Sequence, residues 1–317
     1  MIIVTGGAGF IGSNLIHAFN RRGERDILVV DNLTNGKKVH NLADLEIADY
    51  MDKLEFIEAI KSPSFLNNVS ACFHQGACSS TTEWDGRYVM QNNYDFSKRL
   101  LHACIEQSIP FIYASSASVY GSGKNGFSVD RRCELPINMY AYSKLQFDQY
   151  VRRITDTIKS QIVGLRYFNV YGPREQHKDS MSSTAFHFNR QILSQGHANL
   201  FAGTDGIADG EQRRDFVFVD DVVKVNLWFF DHPDRNGLFN TGTGQAETFN
   251  TVANAVIDWH QKGEIKYIPF PEHLKGAYQN YTQADLSNLR QIGYLDEFIA
   301  VKQGVMAYLD WLNQSRS

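Results

Sequence analysis

The sequence is short of several things, and each shortage removes a class of function. It has no surplus of positive charge: 31 Lys and Arg stand against 35 Asp and Glu, a formal net charge of −4. No basic run interrupts that balance, which argues against non-specific nucleic-acid binding and an anionic-membrane role. No apolar stretch approaches the roughly 20 residues of a membrane span. Strand-like residues begin at Ile2, which leaves no room for a presequence. Only four cysteines occur, Cys72, Cys78, Cys104 and Cys133. None falls in a CxxC pair or a disulfide framework, so reduced thiols in a bacterial-type cytoplasm are expected, and no metal site. There is no internal repeat and no low-complexity segment.

What is present is a chain of 317 residues, 43% of them hydrophobic, enough for one large domain or two coupled ones. Its first half alternates short β runs with longer helical patterns. Strands are expected at Ile2–Val4, Ile27–Val30, Leu54–Ile57, Ala71–His74, Phe111–Ala114 and Ile162–Tyr167. Helices are expected at Ile11–Arg22, Gly86–Gln107 and Asn138–Thr155. Continuous apolar strands separated by helices indicate a parallel sheet covered on both faces. Right-handed crossovers make this an α/β fold with a doubly wound sheet. Residues 1–170 are read as the nucleotide-binding domain, with 216–245 returning to it. Residues 171–317 are read as mainly a smaller C-terminal α/β substrate domain.

Strand Ile2–Thr5 runs into Gly6-Gly7-Ala8-Gly9-Phe10-Ile11-Gly12, where a helix starts. Gly6 permits the tight turn, Gly9 lets backbone approach a pyrophosphate, and Gly12 lets the helix pack close to the sheet. The helix N-terminus offers free N–H groups to the phosphates. A lone glycine pattern is weak, but strand–turn–helix context is what confirms it. Asp31 ends the second strand, where an acid bonds the adenosine ribose, and by that rule the cofactor is NAD. Lys37, Lys38 and Lys53 lie near enough in sequence to meet a 2′-phosphate, so NAD and NADP both stay open on first principles.

Tyr140 and Lys144 stand four apart at the start of a helix and share a face. A free tyrosine titrates near 10; bringing it to about 7 asks roughly 4 kcal/mol of differential stabilisation. A nearby ammonium, the nicotinamide cation and the helix N-terminus are expected to supply it. The resulting tyrosinate can take a hydroxyl proton while hydride leaves the carbon. YxxxK alone is common on exposed helices. Ser116, just past the strand Phe111–Ala114 and hence at the ligand-binding edge, turns the pair into a constellation.

With these residues in place, the chain resembles the extended short-chain dehydrogenases, the Rossmann-fold group of nucleotide-sugar epimerases and dehydratases. The resemblance runs through the opening glycine loop, Ser115-Ser116-Ala117-Ser118-Val119-Tyr120-Gly121, the Tyr140–Lys144 motif, Arg166-Tyr167-Phe168-Asn169-Val170-Tyr171-Gly172-Pro173 and Arg214-Asp215-Phe216 onward. It implies NAD(P) and a nucleoside-diphosphate sugar. Dehydratases of the group carry an Asp-Glu pair after the active serine, where Ala117 and Ser118 stand here, so dehydration is disfavoured. Other stretches resemble the ADP-L-glycero-D-manno-heptose 6-epimerases: His74 to Gly86 with its CSSTTEWDG run, Tyr171 to Glu175 with Lys178, and Tyr267 to Pro271 followed by Leu274-Lys275-Gly276. Gln75, where an acid is expected, and a longer Gly203–Gln212 loop depart from that pattern.

This closer resemblance implies tightly held NADP, inversion at C6″ of an ADP-heptose through a transient ketone, a role in lipopolysaccharide inner-core precursor synthesis, and a homo-oligomer, a pentamer. Carried over residue by residue, it implies cofactor contacts at Phe10, Ile11, Asp31, Asn32, Lys38, Lys53, Gln75, Gly76, Ala77, Cys78, Ser79, Asn92, Lys144 and Val170. It implies substrate contacts at Ser116, Asn169, Ser180, His187, Phe201, Ala202, Gly203, Thr204, Arg214 and Tyr278. Lys178 is implied as a second acid–base group beside the cofactor. Arg214 suits a diphosphate through bidentate hydrogen bonds, although pairing with Asp215 or Asp220 is the plainer reading of that residue alone, as a satisfied helix histidine is for His187. A UDP-sugar 4-epimerase and a catalytically silent NADP-binding sensor are the competing readings.

Overall fold

A computed structural model describes residues 1–204, 206–271 and 279–314. Its main sheet is built from β1 (Ile2–Thr5), β2 (Ile27–Asp31), β3 (Asp49–Asp52), β4 (Ala71–His74), β5 (Phe111–Ser116) and β6 (Ile162–Tyr167). Four further strands follow, β7 (Asn169–Tyr171), β8 (His197–Phe201), β9 (Arg213–Arg214) and β10 (Phe216–Phe218), and then β11 (Gly237–Thr241), which returns to the main sheet beside β6. The seven strands lie in the order β3-β2-β1-β4-β5-β6-β11, and every pair is parallel. The order reverses between β1 and β4, and ligands bind outside the carboxyl ends of strands at such a switch point. β1, β2, β4 and β6 are buried along their whole length, as strands covered on both faces must be.

The covering helices are α1 (Phe10–Arg21), α2 (Val39–Leu42), α3 (Lys53–Ala59), α4 (Gly86–Met90), α5 (Phe96–Glu106) and α6 (Met139–Ile154). Residues 54–57 are therefore helix, not the expected strand. Asp52 caps this helix by accepting from Leu54 N at 2.8 Å, and Phe56, Ile57 and Ile60 fall on one buried face. The strand is the polar stretch just before, at the sheet edge. Between α4 and α5 the chain makes a π-helical turn over Gln91–Asp95, a feature that often re-aims side chains at a site.

Beyond Tyr171, α7 (Thr184–Gln195), α9 (Phe249–His260) and α11 (Val301–Gln314) share a second core of Phe186, Ile192, Val252, Val256, Val305 and Leu309. Around it β7 pairs with β10, β8 with β13 (Glu264–Ile268), and β9 with β12 (Glu247–Thr248). α8 (Val219–Asp231) belongs to the other core, where Val222, Val225 and Phe229 join Leu15, Ile16 and Phe19 of α1. Among the described residues no helix is long and apolar enough to cross a membrane, and all four cysteines are free.

His74 closes β4 in a buried position. Its Nδ1 lies 2.6 Å from Thr5 Oγ1 and its Nε2 2.8 Å from Ser97 Oγ, and burial pulls its pKa down to about 3. The folded chain refuses a proton that the unfolded chain accepts below about 6.5, so stability is lost as pH falls through that range. From pH 7 to 5 the loss from this group is about 2 kcal/mol. Denaturant unfolding of the wild type and His74→Asn at both pH values should show the wild type losing more by about that amount; equal losses contradict it.

Candidate active site

The site begins at the turn after β1. Gly6 has φ +67°, and a Cβ there would lie 2.6 Å from Gly76 N; a Cβ on Gly12 would lie 2.2 Å from Gly6 O. Neither position admits a side chain. The turn is pinned by Gly6 N donating to Val30 O at 2.7 Å and Gly9 N to Gly6 O at 2.9 Å. No side chain caps the N-terminus of α1, so its first N–H groups face the groove with the positive end of the helix. This bare backbone cradle fits the pyrophosphate of a dinucleotide.

One end of the groove is a cavity of about 640 Å³ lined by Gly6, Asp31, Asn32, Lys38, Lys53, Gly76, Ala77, Cys78 and Asn92, among others. The Asp31 carboxylate is fully engaged. Ala8 N donates to Oδ2 at 2.8 Å, and Asn32 N and Lys38 Nζ donate to Oδ1 at 2.6 and 2.8 Å. Lys53 Nζ donates to Asn92 Oδ1 at 2.7 Å. Asn93, buried within the π-helical turn, holds the loop after β4: its Oδ1 accepts from Cys78 N at 2.7 Å and its Nδ2 donates to Cys78 O at 2.9 Å.

The other end is a cavity of about 440 Å³. Gly9, Phe10, Ile11, Gly12, Gln75, Ser79, Ser116, Tyr140, Lys144, Val170 and Lys178 line it. α6 opens with Asn138 accepting from Ala141 N at 2.8 Å, which aims Tyr140 and Lys144 at the carboxyl end of β5. Lys144 Nζ donates to Ala114 O at 2.7 Å, and Ser118 donates to Ser116 Oγ through both N and Oγ, at 3.2 and 2.9 Å. Burial pulls the Lys144 ammonium down to about 8. The expected lowering of Tyr140 is not what the chain's own groups produce. Burial holds the phenol above its ordinary value, and a hydrogen bond with Ser116 only partly opposes this. The Lys144 ammonium is spent on the Ala114 carbonyl.

Lys178 sits in the short turn Gln176–Met181, with Nζ 5.3 Å from the centroid of the Phe10 ring. Burial lowers its pKa and Glu175 opposes the shift. The segment carrying it is fastened to the nucleotide side at several points. Asn14 Nδ2 donates to Pro173 O, Asn41 Nδ2 to both Ala8 O and Arg174 O, and Arg174 grips Asp44 at 2.6 Å. Lys37 reaches Asp179 at 3.1 Å. Sequence reasoning found Lys178 but not these anchors, whose ties across the two halves of the chain span 130 residues or more.

The residues implied for the substrate are less concentrated. His187 and Phe201 line a third cavity of about 320 Å³ together with Phe249. His187 Nε2 lies 3.4 Å from Ser180 O. Ala202, Gly203 and Thr204 follow β8, where Gly203 N donates to Asp209 Oδ1 at 2.6 Å within the long loop. Asn169 is exposed at the start of β7. Arg214 lies over the Phe249 ring at 5.7 Å. Asp215 instead accepts from Thr243 N, Thr243 Oγ1, Gly244 N and Ala284 N. Tyr278 lies outside the described residues, as does Leu274-Lys275-Gly276. Gln75 accepts from Tyr167 OH at 3.0 Å and donates to Asn226 Oδ1 at 3.3 Å, so an amide serves a neutral buried network at this position. Among the described residues no group of three or more His, Cys, Asp or Glu could hold a metal ion.

Residues 2–242 match the model of the NAD dependent epimerase/dehydratase family. This chain belongs to that family. The ADP-L-glycero-D-manno-heptose-6-epimerase of Alkalilimnicola ehrlichii is 61% identical over 310 residues, covering 98% of this chain and 97% of that relative. Among solved structures, the Helicobacter pylori ADP-L-glycero-D-manno-heptose-6-epimerase is similar with a TM-score of 0.84 at 29% identity, over 98% of this chain and 95% of that one. The Thermotoga maritima UDP-glucose 4-epimerase with UDP-glucose is similar with a TM-score of 0.84 at 27% identity, over 100% and 99% of the two chains.

Ser116 and Tyr140 bring two hydroxyls into one cavity. Tyr140→Phe is expected to keep the fold and cut turnover by roughly 10²–10⁴, the range for loss of a general acid–base group. Steady-state kinetics beside a thermal melt check this; near-normal turnover removes Tyr140 from the chemistry.

Proposed function

We propose that the chain inverts C6″ of the heptose in ADP-D-glycero-D-manno-heptose, giving ADP-L-glycero-D-manno-heptose, through a transient 6″-ketone and with NADP as the resident cofactor. The observation that carries this reading is the meeting of Tyr140 and Lys178 in one cavity from separate elements, on a chain alike from end to end to an enzyme named for that reaction. An epimerase that works through a ketone must reduce either face of one carbonyl, and the sugar oxygen then points in two directions. A single acid–base group cannot serve both equally well.

In this reading the glycine cradle, Asp31, Lys38, Lys53 and Asn92 would hold the cofactor, which would supply reversible hydride acceptance beside the sugar carbon. Ser116 binds the sugar oxygen and orients it toward Tyr140. With the positive charge of an oxidised nicotinamide opposing the effect of burial, Tyr140 Oη would take the hydroxyl proton as the carbonyl forms and return it in the reverse step. Lys144 stands behind it as a buried cation. Lys178 Nζ does the corresponding work for the other epimer: burial lowers its pKa, which favours the neutral amine that accepts the proton and makes the ammonium a readier donor. Arg214 binds the diphosphate, with Asn169, Ser180, His187, Phe201 to Thr204 and Tyr278 completing the substrate side. That side comes mainly from residues 171–215 and 246–317, although Leu289 and Tyr294 pack into the core of the main sheet. The product is a precursor of the lipopolysaccharide inner core, the compartment is the cytoplasm, and the working form is a homo-oligomer, a pentamer.

The choice of NADP rests on Lys38. With its carboxylate oxygens taken up by Ala8 N, Asn32 N and Lys38, Asp31 presents a neutralised pair rather than a free charge to a 2′-phosphate, and Lys38 and Lys53 flank the same cavity. Denaturing the purified protein should release NADP in near-equal amount to subunits, read by mass spectrometry; mostly NAD contradicts the assignment. NMR of the protein with a panel of ADP-, UDP- and GDP-sugars should show a new epimer from ADP-heptose. Turnover of a UDP-hexose in its place makes the chain a 4-epimerase.

A further inference from the structure

Behind the catalytic end lies a set of charges that the proposed chemistry does not touch. Arg166 of β6 is fully buried. Its Nε donates to Asp148 Oδ2 at 2.9 Å, its Nη1 to Tyr120 OH at 3.0 Å and its Nη2 to Glu134 Oε1 at 2.5 Å. Asp148 of α6 is also fully buried. It accepts from Tyr113 OH at 3.0 Å and Ser115 Oγ at 2.9 Å. Glu134 is shared further with Arg152 at 2.6 Å.

Stability alone is a poor reason for such a cluster. Desolvating ions costs several kcal/mol each, and well-packed apolar replacements of buried ion pairs are often neutral or stabilising. Its placement gives a better reason. Asp148 stands one helical turn after Lys144, on the same face of α6. Through these two residues α6 holds three consecutive positions of β5: Tyr113 OH, Ala114 O and Ser115 Oγ. The next residue is Ser116.

We propose that Asp148, anchored by Arg166, is a positioning residue of the reaction: it seats the start of α6 on the end of β5, fixes the approach of Lys144 and Tyr140 to Ser116, and places a fixed negative charge behind the Lys144 ammonium. This rests on the acid–base roles proposed above. The groups that face Lys144 are His74 on β4, Cys78 in the loop after it, and Asp148 on α6 itself. His74 stays neutral at working pH, which leaves Asp148 as the carboxylate that favours the charged amine against burial.

The test is Asp148→Asn in the full-length, cofactor-loaded enzyme, with the pH profile of kcat measured beside the wild type on whichever nucleotide sugar the wild type turns over. The account expects kcat to fall by about tenfold or more, as small misplacements of reacting groups do. It also expects the alkaline midpoint of the profile to move to lower pH by about half a unit or more, because the charge that favours the ammonium has gone. A lower profile with an unmoved midpoint means a merely structural role and overturns the proposal, as does a wild-type profile. If Asp148→Asn does not fold, the Tyr113→Phe/Ser115→Ala double variant decides, since it cuts both ties to β5 and keeps the ion pair. Reduced kcat at unchanged KM then supports the proposal, and unchanged kcat overturns it. A wild type inert toward ADP-heptose but active on another sugar removes the substrate reading and leaves this test intact; one inert toward every nucleotide sugar overturns both.

Discussion

The approach of α1 to the end of β1, where Gly12 has no room for a side chain beside the carbonyl of Gly6, is the constraint on which the functional groove depends. That contact sets the phosphate turn, and the turn is then used as a frame. Ala8 N fixes the carboxylate of Asp31 on one side. Ala8 O takes Asn41, which also holds the carbonyl of Arg174. Phe10, the next side chain along, lies under the ammonium of Lys178. The glycine turn, the carboxylate of Asp31 and the loop that carries Lys178 therefore share one piece of backbone. A methyl group at Gly12 would disturb all three together.

The catalytic end is governed by burial. Tyr140 is pushed up, and Lys144 and Lys178 are pushed down. In each case loss of water disfavours the charged form. The phenol is thereby made a weaker acid than in water, and the two ammonium groups stronger ones. The same dry surroundings strengthen every charge left inside. This is why the placement of Asp148 and Arg166 behind Lys144 has consequences that a surface pair would not have.

Short-range features were legible in the sequence. The glycine loop needs only a strand, a turn and a helix in order, and Tyr140 with Lys144 needs only helical spacing. Ser116 stood out as a hydroxyl at the end of a strand in a doubly wound sheet, and the parallel, doubly wound sheet itself followed from alternation and handedness. Leu54–Ile57 was misread because a short apolar run fits either period; the cap at Asp52 was the available signal. The lowering of Tyr140 was expected from an ammonium, the nicotinamide cation and the helix N-terminus together; of these, the ammonium of Lys144 donates to a backbone carbonyl, a partner that no sequence pattern reveals. Asp148 carried one faint mark, its position four after Lys144, but Arg166 and Glu134 meet it only through tertiary packing. The anchors of the Lys178 segment, Asn41 with Arg174 and Lys37 with Asp179, are likewise invisible until the two halves of the chain are brought together.

The central claim is that one groove serves two proton-handling groups, each matched to one orientation of the sugar. Its most direct test is a single-turnover measurement of the first oxidation step, starting separately from each pure epimer, in Tyr140→Phe and in Lys178→Met. A crossed pattern is expected: each variant stalls on one epimer and still oxidises the other, and the two variants stall on different ones. Both variants stalling on the same epimer, or each slowing both epimers equally, contradicts it.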